Sequence, residues 1–381
     1  MANRAAWQET LKGHPLTLKP APMPTPRPDQ IIIKTRATGI NPADAAVQRL
    51  GLIYTPAQHP LILGLDVAGE VHAVGSSVTS FKVGDRVCAH AVDIPTPESA
   101  SSHSPRGAFQ LFCAVSAGLA ARIPDDVAFA DAAVFPSCLS VAAYSLFLPH
   151  ALALSLPPLG GAAAPNGAVV VIWGGSSVVG SCAIQLARQA GYSVVATASE
   201  LNFEHCRSLG AEAVFDYRDP SVVDEVVAAC GGRECAGVFA AYYNDGSTVA
   251  CSQIASRLEG SKVVATVVPP SMPVPADVVQ GVRIASSESP LGLTSHNTDF
   301  YPDWAPAIAD TDEGAYIWGK WFPSALKDGS WELLPRPEIA GKGLEALQGA
   351  VDTMFGRLHM LAPQAEQQKS ISPRKLVVEI D

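Results

Sequence analysis

The chain has 381 residues, more than one ordinary core holds, so two domains are expected. Hydrophobic residues make up 48% and charged residues 16%, a globular balance that excludes wholesale disorder. With 26 basic against 36 acidic side chains the net charge is −10, which argues against nucleic acid as the main ligand.

Residues 1–137 read mostly as β. Strands are expected at 31–37, 63–74 and 85–90, with turns at Gly75-Ser-Ser-Val78 and Val83-Gly-Asp-Arg86, as in a small barrel. Residues 93–106 are rich in proline and serine and read as a loop. The weakly charged run 132–165 is cut by Pro136, Pro149, Pro157 and Pro158 below the ~20 residues a membrane helix needs. It reads as a buried helix followed by a surface insertion, with no membrane partner. Neither Arg4 nor Glu9 is followed by an apolar signal-peptide core. The eight cysteines form no C-x-x-C pair and read as reduced, buried thiols, which fits a cytoplasmic location.

From about residue 140 the period changes to alternating strand and helix. Strands are expected at 169–173, 193–198, 213–216, 237–241, 262–268 and 282–285, and helices around 177–190, 202–209, 221–230 and 248–258. Six strands in β-α-β order imply an α/β fold with a doubly wound parallel sheet, the Rossmann arrangement. Val169 to Ile172 is apolar without alternation, as in a strand covered on both faces. It runs into Gly174-Gly-Ser-Ser-Val-Val-Gly180, a degenerate glycine fingerprint in which Ser177 takes the middle position. Gly174, Gly175, Ser176, Ser177, Val178, Val179 and Gly180 are therefore candidate contacts to a dinucleotide pyrophosphate at a helix start. The same pattern would also serve a tight strand–turn–helix that binds nothing.

NAD-binding versions of this fold place an acid about 20 residues on, at the end of the second strand. Ala198 holds that position here. Ser199 and Asn202 follow and can bond a 2′-phosphate, while Tyr217 and Arg218 at the next strand end can flank the adenine and add positive charge. NADPH is the expected cofactor, with Glu200 as the one residue that would favour NAD by turning inward. Residues 318–326 form an amphipathic helix whose tryptophans, with Trp331, are expected to pack, and 376–380 read as a closing strand. The nine histidines show no ligand spacing.

Five segments carry a family resemblance: Gly39-Ile-Asn-Pro-Ala-Asp44, Leu63-Gly-Leu-Asp-Val-Ala-Gly-Glu-Val71, Ile172 to Gly180, Ser208 to Tyr217, and Lys375-Leu-Val-Val378. In order and spacing the chain resembles the medium-chain dehydrogenase/reductase superfamily, in its zinc-free enoyl-reductase-like fungal branch. That branch includes trans-acting enoyl reductases of polyketide pathways. The resemblance implies a discontinuous, barrel-like (GroES-like) substrate domain, residues 1–137 and 311–381, interrupted by a nucleotide domain at 138–310. It implies NADPH, bound in part by Ser199, Asn202 and Tyr217.

Zinc-dependent relatives place a Cys in the first motif, Gly-His-Glu in the second and a further Cys near the domain junction. Here the matching positions are Asn41, Gly64-Leu65-Asp66 and Cys138, so no metal is expected. What remains to the family is hydride transfer to an activated C=C, on a small-molecule or carrier-protein-bound polyketide substrate, with a polyketide synthase as a partner. Asn41 is the side-chain candidate for stabilising the enolate oxygen, although Asn41-Pro42 also reads as a plain turn. Asp44 is expected to order its loop.

Three positions depart from the branch. Ala45-Ala46 stands where Trp-Lys is usual, Val141 where a threonine bonds the cofactor, and Tyr242-Tyr243 where an acid and a small residue end the fourth strand. Tyr242 can therefore narrow the pocket or replace a lost donor. These swaps motivate a second reading, a reductase-derived protein without net redox turnover that folds or cyclises an intermediate.

Overall fold

The computed structural model describes residues 2–52, 54, 56–92, 107–267, 274–286, 311–358 and 374–380. The loop expected at 93–106 lies outside them. In chain order the strands are β1 (Arg4–Gln8), β2 (Thr17–Pro20), β3 (Gln30–Gly39), β4 (Leu61–Ile62), β5 (Asp66–Val74), β6 (Arg86–His90), β7 (Phe112–Ser116), β8 (Ala120–Arg122), β9 (Val169–Trp173), β10 (Ser193–Ala198), β11 (Ala213–Asp216), β12 (Cys235–Ala240), β13 (Val263–Thr266), β14 (Arg283–Ser286), β15 (Glu338–Lys342) and β16 (Leu376–Glu379). Helices used below are α1 (Pro42–Leu50), α2 (Phe129–Ala132), α3 (Pro136–Phe147), α4 (Val178–Gln189), α5 (Phe203–Ser208), α6 (Val222–Cys230) and α7 (Asp245–Arg257).

The chain folds into two compact units. The first takes in Met1–Ser137 and Arg336–Asp381, the second Cys138–Trp304 and Thr311–Pro335. In the first unit β3 is the hub, pairing antiparallel with β5, β7 and β16 within a seven-stranded sheet. Its buried residues Ile31 and Ile33 pack with Val67, Val87 and Val115. Each such aliphatic side chain, fully buried, contributes roughly 1.5–3 kcal/mol. A second sheet, β2-β1-β4, supports a cluster of Trp7, Ile40, Val47, Phe109, Leu347 and Val351.

The strand expected at 63–74 starts only at Asp66. Gly64 has φ of +101°, which turns the chain out of the β region between β4 and β5. Alternation alone does not expose that break.

The second unit is a six-stranded parallel sheet in the order β11-β10-β9-β12-β13-β14. β9 lies at the centre and is buried along its whole length, as its unbroken apolar run requires. Chain order reverses there, which makes the carboxyl end of β9 the topological switch point of the sheet. Residues 311–335, expected with the barrel, join this second unit. Trp318 is fully buried and its indole donates to Ser140 Oγ at 3.2 Å. Gln185 and Glu332 exchange two bonds at 2.8 and 3.3 Å, and Trp331 meets Trp321 and Phe322 edge-on.

One helical stretch among the described residues, Phe129–Phe147, is long and apolar enough to cross a membrane by length and composition; 83% of its apolar window is buried inside the fold. All eight cysteines are buried thiols, none in a disulfide.

Candidate nucleotide turn and buried polar cluster

In the second unit, β9 ends at Trp173 and Gly174 turns the chain with φ of +81°. A Cβ on Gly174 would lie 2.8 Å from Tyr242 Cβ, and one on Gly180 would lie 2.3 Å from the Gly174 carbonyl. The first glycine thus makes the turn and the last lets α4 approach it. Thr197 on β10 holds the turn by accepting from Gly174 N through its hydroxyl (3.1 Å) and from Gly175 N through its carbonyl (2.8 Å).

Ser177 is the N-cap of α4. Its Oγ accepts from Gly180 N at 3.0 Å and donates to the Gly174 carbonyl at 2.9 Å. The serine in the middle of the fingerprint is therefore a cap. The first bond inside α4 is Ser181 N to Ser177 O, at 2.7 Å. Among the described residues the N–H groups of Ser176, Val178 and Val179 have no acceptor. Three donors at the start of a twelve-residue helix suit phosphate oxygens.

At the ends of β10 and β11 lie the residues expected around a 2′-phosphate. Asn202 Nδ2 donates to Ser199 Oγ at 2.8 Å, and both side chains are buried. Glu200 is exposed, and its charge lies close enough to Arg218 to help raise that guanidinium. Arg218 grips Asp216 through Nε at 2.9 Å and Nη2 at 2.5 Å, which offsets much of the positive charge expected of it. Arg218, together with a backbone N–H from Glu200, holds the Asp216 carboxyl below the ordinary carboxylate range. Sequence reasoning missed Asp216; its spacing two residues before an arginine at a strand end was the available signal.

Tyr242 is half-buried against Gly174. Burial first, then the nearby Tyr217, raises its phenol above the ordinary range, while an Asn244 side-chain bond lowers it. Tyr242 thus lies beside the Gly174 turn, on the same unit as Tyr217. Val141 is half-buried on α3.

The first unit gathers a different group. Lys375 Nζ donates to Asp66 Oδ2 at 2.6 Å and to Asn41 Oδ1 at 2.7 Å. Asn41 Nδ2 donates to the same Asp66 oxygen at 2.8 Å. Ser137 donates its backbone N–H to Asp66 Oδ1 at 2.6 Å, and its Oγ lies 3.1 Å from both Asn41 Oδ1 and Asp66 Oδ2. Side-chain exposure is 3% for Lys375 and 0% for Asp66.

Asp44 fixes the frame of this cluster. It accepts from Asn41 N at 2.8 Å and from Gly64 N at 3.1 Å, tying the first sequence motif to the second. Burial pushes its carboxyl up to about 7, against those two backbone bonds. Asn41-Pro42 is a helix start, with proline at the first position of α1. Burial also pushes the neighbouring His90 imidazole down to about 4. Ala45 is fully buried, so the position following Asp44 serves the core.

The positions where zinc-dependent relatives hold metal carry a carboxamide, an isobutyl side chain and one buried thiol, and Asn41 is already bonded to an ammonium. That donor set does not fit zinc, which needs three protein ligands. Among the described residues no three His, Cys, Asp or Glu side chains cluster as a metal site.

Residues 27–136 match the alcohol dehydrogenase GroES-like domain family and residues 178–282 the zinc-binding dehydrogenase family. The dehydrogenase pigH of Monascus ruber is 36% identical, with 99% of each chain covered. The chain belongs to the medium-chain dehydrogenase/reductase superfamily, in its enoyl-reductase-like branch. The trans-enoyl reductase himH of Aspergillus japonicus is 33% identical over 100% of this chain and 98% of that one. Among solved structures, the enoyl reductase CurK superposes with a TM-score of 0.68 at 18% identity, covering 100% of both chains. A mycobacterial protein complexed with NADPH does so with a TM-score of 0.64 at 20% identity, covering 99% and 100%. These last two likenesses concern the fold, which is shared along the whole length.

Proposed function

We propose that this member of the superfamily is a zinc-independent, NADPH-dependent reductase of an activated C=C, an enoyl thioester or enone. The observation that carries the reading is the Gly174–Gly180 turn, with its unspent N–H groups at the switch point of the parallel sheet. Ser176, Val178 and Val179 would take the pyrophosphate. Ser199, Asn202, Tyr217 and Arg218 would take the adenosine 2′-phosphate. When bound, the nicotinamide supplies hydride. The chain's own part is a hydrogen-bond donor for the oxygen that gains charge, and Asn41 Nδ2 is that donor. Tyr242 flanks the pyrophosphate turn of the second unit.

The trans-enoyl reductase among the full-length relatives supports a carrier-bound polyketide intermediate as substrate and a separate synthase as partner. The test is to mix the protein with NADPH and a panel of enoyl thioesters and enones, and to follow the nicotinamide absorbance. Oxidation of NADPH coupled to a saturated product is expected. Tight NADPH binding without oxidation on any substrate overturns the reading in favour of a non-redox role, which Val141 and Ala45-Ala46 would then explain.

A further inference from the structure

Burying an ammonium and a carboxylate costs several kcal/mol of desolvation, and well-packed apolar residues of similar volume are often as stable or more so. The Lys375–Asp66 pair is therefore not explained by stability alone. Its geometry has a second effect, on Asn41. Two donors, Lys375 Nζ and Ser137 Oγ, face one end of the carboxamide. A flipped amide would set its NH2 against the ammonium and its oxygen against the Asp66 carboxylate, so the end facing Lys375 must be oxygen. The other end is Nδ2, and one of its two hydrogens goes to Asp66. The second hydrogen has no acceptor among the described residues, and the carboxamide cannot rotate to hide it.

We propose that Lys375 is a positioning residue: its buried ammonium, with Asp66, locks the Asn41 carboxamide so that one Nδ2–H is held ready for the oxygen of the reacting substrate. This rests on the reduction proposed above. Lys375 lies 334 residues from Asn41 and enters just before β16, which pairs with the Gly39 end of β3. The closing strand thus delivers the charge that orients the first motif.

The test separates orientation from folding. Lys375→Met alone leaves Asp66 buried without its cation and is expected to unfold readily. Lys375→Met combined with Asp66→Asn removes both charges and should recover most of the melting temperature. In that folded double variant kcat for an enoyl thioester should fall about 100-fold, the usual effect of losing one oxyanion donor. KM and NADPH affinity should hold within about twofold, since no substrate- or nucleotide-binding group is altered. Adding Asn41→Ala to the double variant should cost little more, because residues that act as a unit are not additive.

A folded double variant with parental kcat overturns the proposal, as does a full additional loss on adding Asn41→Ala. A second readout stands apart from turnover. In protein labelled with 15N-asparagine, the Asn41 Nδ2–H bonded to Asp66 should exchange slowly with D2O, and should lose that protection in the double variant. An unchanged signal rejects the locking even if no enoyl substrate is ever reduced, whereas lost protection with an inactive parent protein rejects only the reductase reading.

Discussion

The Gly174–Gly180 turn and the buried polar cluster are built from different materials. The turn in the second unit is made of backbone: glycines that permit the path, a serine that caps it, and N–H groups left over at the start of α4. The cluster in the first unit is made of side chains from positions 41, 66, 137 and 375, closed around a charge pair that water does not reach. A backbone site tolerates many side chains but no added Cβ. A side-chain site tolerates backbone adjustment but no loss of a partner. The two should therefore fail in different ways.

The largest effect is expected at the cluster. Lys375→Met should destabilise the protein by about 3–5 kcal/mol, the cost of leaving one buried charge unpaired. Denaturant unfolding would check this, and a loss below about 1 kcal/mol would mean that water or another group already serves Asp66. At the turn, Gly174→Ala places a Cβ in a left-handed conformation against Tyr242 and should cost about 1–3 kcal/mol. Unlike the charge variants, it should also weaken NADPH binding.

Titration offers a sharper comparison inside the cluster. Asp44, raised from 3.8 to about 7, binds its proton more readily folded than unfolded, so its contribution to stability falls as pH rises from about 4 to about 7. His90, lowered from 6.5 to about 4, acts in the opposite sense, and stability falls as pH drops through that window. The two offset each other in the parent protein. Asp44→Asn should therefore leave stability rising from about pH 4 to 6.5, and His90→Gln should leave it falling. Equal slopes in the two variants would contradict the burial of either group.

The smallest effects belong to the cap and the adenosine end. Ser177→Ala removes the bond from Gly180 N and should cost about 1 kcal/mol of stability. Arg218→Ala should reduce the preference for NADPH over NADH only modestly, because Asp216 already holds the guanidinium. A complete loss of preference would show that Arg218 leaves Asp216 when the 2′-phosphate arrives.

The same contrast explains what was legible in the sequence. The six parallel strands and the glycine turn announce themselves through period, β-branched runs and small residues, all local signals. Strand ends moved by a few residues, as in β12, where Cys235 extends the expected start at 237. Helix α7 begins at Asp245 rather than 248 because Asn244 and Ser247 cap each other. The cluster was only half legible. Asn41 stood out within its motif, but nothing local to residue 375 says that its ammonium reaches Asn41 and Asp66. Nor does residue 137 advertise that its N–H meets the Asp66 carboxylate. The placement of 311–335 escaped for the same reason, since Trp318 finds Ser140 across 178 positions of sequence.

Nucleotide binding should depend on the turn and not on the charged cluster. This is tested most directly by titrating NADPH, through its fluorescence, into the parent protein, Gly180→Val, and the folded double variant Lys375→Met with Asp66→Asn. The added side chain at Gly180 meets backbone at 2.3 Å, so that variant should show no saturable binding, while the double variant should match the parent. Parental affinity in Gly180→Val, or lost affinity in the double variant, would contradict the account.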